Sequence, residues 1–180
     1  MTRVNLIDPA AATPAKPVLD QIKAAFGATP NMFRAVANSP AALSMMWAGF
    51  GALGGGKLGA KLGEQIAVAV ADRNGCGYCL AAHTALGRKA GASAEEMAAA
   101  QSGVSDDPRT AAALAFALKV VEDRAHVSDA DVARLRAAGF DDEAIVEILA
   151  HVALNLFTNY VNVAFDVPVD FPAVKLRRAA

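Results

Sequence analysis

Apolar side chains recur along this chain at intervals of three and four residues, and no stretch alternates apolar with polar over a useful length, so the pattern predicts helices and not strands. Pro9, Pro14, Pro17, Pro30 and Pro40 punctuate the first forty residues. Between them Val18, Ile22, Ala25 and Phe26 keep helical spacing, and residues 31–36 predict another turn or two. Ser39-Pro40 offers a capping side chain and a proline at the first helical position, opening a helix over about 41–53 that stops at Gly54-Gly55-Gly56. A helix over about 59–73, with Leu62, Ile66 and Val70 on its buried side, is broken by Asn74-Gly75, and the next starts near Cys76 and ends at Gly91.

Ser93 and Glu96 have the spacing of a capping box, and Ser128 and Asp131 repeat it before a helix that ends at Gly139. Between them an alanine-rich stretch, about 109–124, has high helix propensity. Asp141 caps a last long helix over about 143–165, which Pro168 and Pro172 prevent from continuing. That helix is apolar enough to predict burial on more than one side, at the centre of the bundle or in an oligomer interface. Its exceptions, His151, Asn155, Asn159 and Asn162, fall on one stripe that either lines a channel or pairs across an interface, because buried polar groups normally have partners. Met45, Met46 and Trp47 read as core or interface. The expected architecture is an all-α, single-domain helical bundle over 1–180, with an N-terminal arm and short helices over 1–38 and a redox core at about 57–91.

Composition sharpens this in two ways. A 54% apolar, 6% aromatic chain rich in alanine suits closely packed helices, and 180 residues bury about two-thirds of the unfolded surface without a staple. A net charge of −1 with interspersed signs lacks the basic footprint of a nucleic-acid binder. The tail of Lys175, Arg177 and Arg178 reads as a solvated end, and Asp72 and Arg73 read as exposed charges beside a turn. The first residues lack a signal peptide's apolar run and no twenty-residue window is free of polar breaks, which predicts a cytoplasmic protein with no membrane span. In a reducing compartment two cysteines three positions apart point to redox or metal chemistry and not to a structural staple.

On a helix starting near Cys76, residues 76, 79 and 83 share one face. Both sulfurs then lie in the first turn, where free backbone N–H groups and the helix dipole favour an anion and lower a thiol's pKa from about 8.5. His83 can take the proton of Cys79 or hold its thiolate. The spacer lets the sulfurs meet, so a sulfenic acid on Cys79 could condense with Cys76 to a disulfide. Glu64, on the preceding helix, can approach His83 across an antiparallel hairpin and orient its imidazole. Metal binding stays open at this point, since Cys-x-x-Cys-x-x-x-His offers three soft ligands, although structural zinc usually takes four and only His126 and His151 remain to supply a fourth.

Glu64, Cys76-Gly77-Tyr78-Cys79 and His83 together resemble the core signature of the alkylhydroperoxidase D and carboxymuconolactone decarboxylase superfamily. Pro30-Asn31-Met32-Phe33 with Ser39-Pro40, and Leu156-Phe157-Thr158-Asn159-Tyr160-Val161-Asn162, resemble its peroxidase-related branch, so the likeness covers most of the chain. It implies an alkylhydroperoxidase D-like bundle and a homo-oligomer that reduces hydroperoxides. Cys79 would attack the peroxide and Cys76 resolve it, with His83 and Glu64 as proton relay. Electrons would come from a dithiol, a lipoylated protein or a thioredoxin-type protein, and no cofactor or resident metal is expected. The best-studied alkylhydroperoxidases carry a histidine where this chain has Tyr78, which leaves two outcomes: a hydrogen bond from Tyr78 in its place, or weaker activity. The decarboxylase branch lacks the cysteine pair. A non-enzymatic thiol redox sensor or oligomeric interaction protein, and a metal-binding helical module, are the rival classes.

Overall fold

Side-chain caps fix where most of the helices begin. In the computed structural model, which describes residues 2–177, Ser39 Oγ accepts from Ala42 N at the head of α3 (Pro40–Gly54). Ser93 with Glu96, and Ser128 with Asp131, close reciprocal capping boxes on α6 (Ala94–Gln101) and α8 (Asp129–Ala137). Asp107 caps α7 (Pro108–Glu122) and Asp141 caps α9 (Asp142–Ala164). The other helices are α1 (Lys16–Phe26), α2 (Asn31–Val36), α4 (Ala60–Arg73) and α5 (Gly77–Lys89). No strand occurs among the described residues, so the protein is all-α, and each helix lies within about two residues of its expected span. Arg178 of the basic tail lies outside the described residues.

The centre of the bundle is α4, which packs against α5, α6, α7 and α9. Its Ile66, Val68 and Val70 are fully buried, and Ala67, Ala69 and Ala71 between them let neighbouring helices come close on every side. The shorter helix thus takes the central place that the length of α9 had suggested for α9 itself. By length and composition α9 could cross a membrane. In the fold it lies against α3, α4, α5 and α7, with Asn155, Thr158, Asn159 and Asn162 buried. Its outward side carries Val146 (67% exposed), Leu149, Tyr160 (59% exposed) and Val163. Met46 is buried in the core, whereas Met45 is exposed, and Trp47 Nε1 donates to Gln21 Oε1 at 2.9 Å.

Beyond α9 the chain turns back over α2 and the start of α5. Asp170 accepts from Asn31 N at 2.7 Å, and Arg177 N donates to Asp72 Oδ1 at 2.9 Å. Gln101 Nε2 bridges Asp72 Oδ1 and the Lys175 carbonyl, at 2.7 and 2.9 Å. Asp72 is therefore a buried anchor for the returning C-terminal segment, and Arg73 pairs with Glu122. Neither is the exposed charge the sequence suggested, because residues far along the chain cover the turn on which both sit.

Candidate active site

Gly75, at φ 66°, makes the left-handed step between α4 and α5 that an L side chain would resist, and the chain re-enters a helix at once. Cys76 is the N-cap of α5, and its Sγ accepts the Cys79 N–H at 3.2 Å. The two cysteines are bonded as a disulfide with their Cα atoms 5.4 Å apart, and they are 1% and 2% exposed. Cys79 opens onto a cavity of about 250 Å³ whose walls are Phe26, Met32, Phe33, Phe50, Leu86 and Phe171, with the Tyr78 ring beside them. Glu64 and His83 supply the polar groups of that wall. Cys76 is not among its lining residues.

The α4–α5 hairpin brings Glu64 and His83 into direct contact, with Glu64 Oε2 2.7 Å from His83 Nδ1. That fixes which imidazole nitrogen faces the carboxylate and leaves Nε2 for other partners. A second cavity of about 120 Å³ lies on the other side of the pair, lined also by His151, Leu154 and Asn155. His151 lies so close to α4 that a Cβ on Gly63 would stand 2.9 Å from its Cε1. Burial pushes the His151 pKa below its usual 6.5; the charges of Glu147 and Glu64 oppose that shift and His83 reinforces it. Burial works against ionisation of Glu147 as well, yet the backbone N–H groups of Leu58 and Lys57, at 3.0 and 2.9 Å, hold it below the usual carboxylate range.

Tyr78 joins the site through its ring. That ring packs edge-on against Phe171 with centroids 5.7 Å apart, while the hydroxyl accepts the Met32 N–H at 3.2 Å. Burial raises the phenol's pKa; the Met32 N–H opposes this, and the Asp170 carboxylate adds to it. The hydroxyl thus ties α5 to the start of α2, away from the sulfurs.

The three asparagines of the α9 stripe each find a partner inside this chain. Asn155 Nδ2 donates to the His151 carbonyl at 2.9 Å, and Asn159 Oδ1 accepts from Asn74 Nδ2, two residues before Cys76, at 2.9 Å. Asn162 Nδ2 lies 3.1 Å from Cys79 Sγ. The stripe was visible as a break in an apolar helix, but nothing in its spacing named the sulfur as the partner of Asn162. Among the described residues His151 Nε2, Asn159 Nδ2 and Asn162 Oδ1 are buried without a hydrogen-bond partner, and no three His, Cys, Asp or Glu side chains converge as a metal-ligand set.

Fold and site together define an all-α bundle that carries a Cys-x-x-Cys pair at a helix start, beside a hydrogen-bonded Glu–His pair. Residues 40–123 match the carboxymuconolactone decarboxylase family, and the structural likenesses below support a place in the carboxymuconolactone decarboxylase and alkylhydroperoxidase D superfamily. An uncharacterized peroxidase-related protein from Silicibacter sp. TM1040 is 28% identical, with 93% of this chain and 91% of that one covered at a TM-score of 0.81. An uncharacterized peroxidase-related protein from Ralstonia eutropha JMP134, with an alkylhydroperoxidase AhpD core, is 27% identical over 94% and 92% of the two chains at a TM-score of 0.83. The debrominase Bmp8 shares the fold, at 24% identity, 94% and 93% coverage and a TM-score of 0.80. No curated protein sequence matches this one significantly.

Proposed function

We propose that this chain is a dithiol peroxidase that reduces organic hydroperoxides. The observation that carries this reading is Cys79 facing an apolar cavity whose polar wall is the Glu64–His83 pair. In the reduced protein the Cys79 thiolate attacks the distal peroxide oxygen and the O–O bond breaks. Sulfur becomes a sulfenic acid, and the leaving alkoxide takes a proton from the His83–Glu64 relay and departs as an alcohol. The Cys76 thiol then condenses with the sulfenic acid, forming the disulfide and releasing water. A dithiol, on a lipoylated or thioredoxin-type protein or a small molecule, returns the two electrons and becomes a disulfide itself. This cycle suits a cytoplasmic, reducing setting. The apolar seam on α9 supports a homo-oligomer.

The test is steady-state consumption of cumene hydroperoxide and hydrogen peroxide with dihydrolipoamide as donor. Cys79→Ser should abolish turnover, while Cys76→Ser should stop at a trappable sulfenic acid. Full dithiol-driven activity in both variants would falsify the reading.

A second reading, a redox sensor, draws support from the contact between Cys79 and Asn162, because the helix that touches the sulfur also carries the exposed seam. It would show as a change of oligomer size on oxidation, with peroxide turnover no faster than that of a free thiol.

A further inference from the structure

We propose that Asn162 is a catalytic residue whose side-chain N–H holds the reactive sulfur of Cys79 as a thiolate. The inference rests on the peroxidase reading only in taking Cys79 as the nucleophile. Burial alone would favour the neutral thiol, since an anion leaves water for an apolar cavity. Opposing groups must therefore be named.

The start of α5 supplies backbone N–H groups, but the Cys79 N–H is already turned to Cys76 Sγ. Among the described residues no lysine or arginine lines the cavity. From α4 comes the Glu64 carboxylate, an anion, and from α5 come His83, whose Nδ1 meets Glu64 and whose ring makes no hydrogen bond to the sulfur among the described residues, and the Tyr78 hydroxyl, engaged by Met32. The C-terminal segment brings Asp170 towards Tyr78, another anion. From α9 come the neutral amides Asn159 and Asn162, and Asn162 Nδ2 is 3.1 Å from the sulfur.

Two features of this amide separate a role in chemistry from one in folding. Its Oδ1 is buried without a partner among the described residues, so the side chain is a poor structural choice for an apolar helix face. Its only side-chain hydrogen bond among those residues runs to sulfur, a weak acceptor when oxidised or protonated and a strong one as thiolate. The interaction therefore strengthens when the disulfide is reduced. Meanwhile Asn159, one turn before Asn162, grips Asn74 and keeps the head of α5 in register with α9.

The test follows alkylation of Cys79 by iodoacetamide against pH in the reduced full-length protein, with Cys76→Ala making Cys79 the sole thiol. Asn162→Leu should move the titration up by about one unit, lowering the rate about tenfold at pH values below both curves. The rates should converge above both curves, and the melting temperature should not fall. Asn162→Asp keeps the size and places a second anion there, so it should move the titration up at least as far, and it gives the reading if the leucine variant does not fold. Superimposed curves for the parent and both variants would overturn the proposal. So would a rate loss that persists at every pH, which marks a misplaced sulfur. Peroxide plays no part in the measurement: a parent protein with no turnover but a shifted Asn162 titration sinks the peroxidase reading alone.

Discussion

Glu64 Oε2 and His83 Nδ1, 2.7 Å apart, form the partition between two cavities, one opening on Cys79 and the other on His151. A pair so placed can meet the sulfur's substrate on one face and exchange protons on the other. Replacing Glu64 with Gln keeps the size and removes the carboxylate that meets His83 Nδ1. Oxidation of Cys79 by peroxide should slow by about 10²-fold, within the usual range for a lost acid–base group. Stopped-flow oxidation of the reduced variant measures this, and an unchanged rate would remove Glu64 from the relay.

Acid should loosen the protein through His151. Its folded pKa lies below 6.5, so above that value the imidazole is neutral in both states and the stability is complete. As pH falls from 6.5 towards the folded pKa, the unfolded chain binds the extra proton and stability is lost. Glu147, whose folded pKa also lies below its unfolded one, adds a further loss at lower pH, as its carboxylate is protonated. Urea midpoints at about pH 7.5 and about pH 5.5 should differ for the parent and differ less for His151→Gln.

Tyr78→Phe leaves the buried Met32 N–H without its acceptor. Such a group costs about 1–3 kcal/mol, which urea denaturation would read directly. A variant as stable as the parent would show that the contact holds nothing.

The walls of the larger cavity should select substrates by size. An aromatic hydroperoxide fills a space of about 250 Å³ lined by Phe33, Phe50 and Phe171 far better than hydrogen peroxide does. Phe171→Ala should lower kcat/KM for cumene hydroperoxide by about tenfold, the worth of a good part of one buried aromatic contact, and should change the hydrogen peroxide value much less. Equal losses on both substrates would contradict a binding role for this wall.

Along α9, Val146, Leu149, Tyr160 and Val163 stand exposed on positions of a three–four repeat, the spacing of a helix–helix seam. Leu149→Glu should shift the sedimentation coefficient to that of a monomer if a second copy covers this face. No shift from an oligomeric parent would move the interface elsewhere.

What could be read from the chain depended on sequence distance. Ser93 with Glu96 and Ser128 with Asp131 are three residues apart, so their caps were legible. Cys76, Cys79 and His83 share a face through helical periodicity alone. Glu64 met His83 as expected because the short Asn74-Gly75 break forces a hairpin. Partners that arrive from far away were not legible: Met32 reaches Tyr78 across 46 positions and Asn162 reaches Cys79 across 83. Asp72 looked exposed for the same reason, since the Arg177 amide that covers it comes from 105 positions on. The stripe on α9 showed that something polar was needed, and packing alone decided what.

The order in which these pieces occur along the chain has a consequence for synthesis. Ribosomes make Cys76 and Cys79 long before Asn162, and the cavity wall that Phe171 completes comes later still. A nascent chain therefore carries both thiols open to small oxidants and glutathione until those later residues are made. Their enclosure waits for the segments that carry Asn162 and Phe171, and a reducing environment must guard the pair until then.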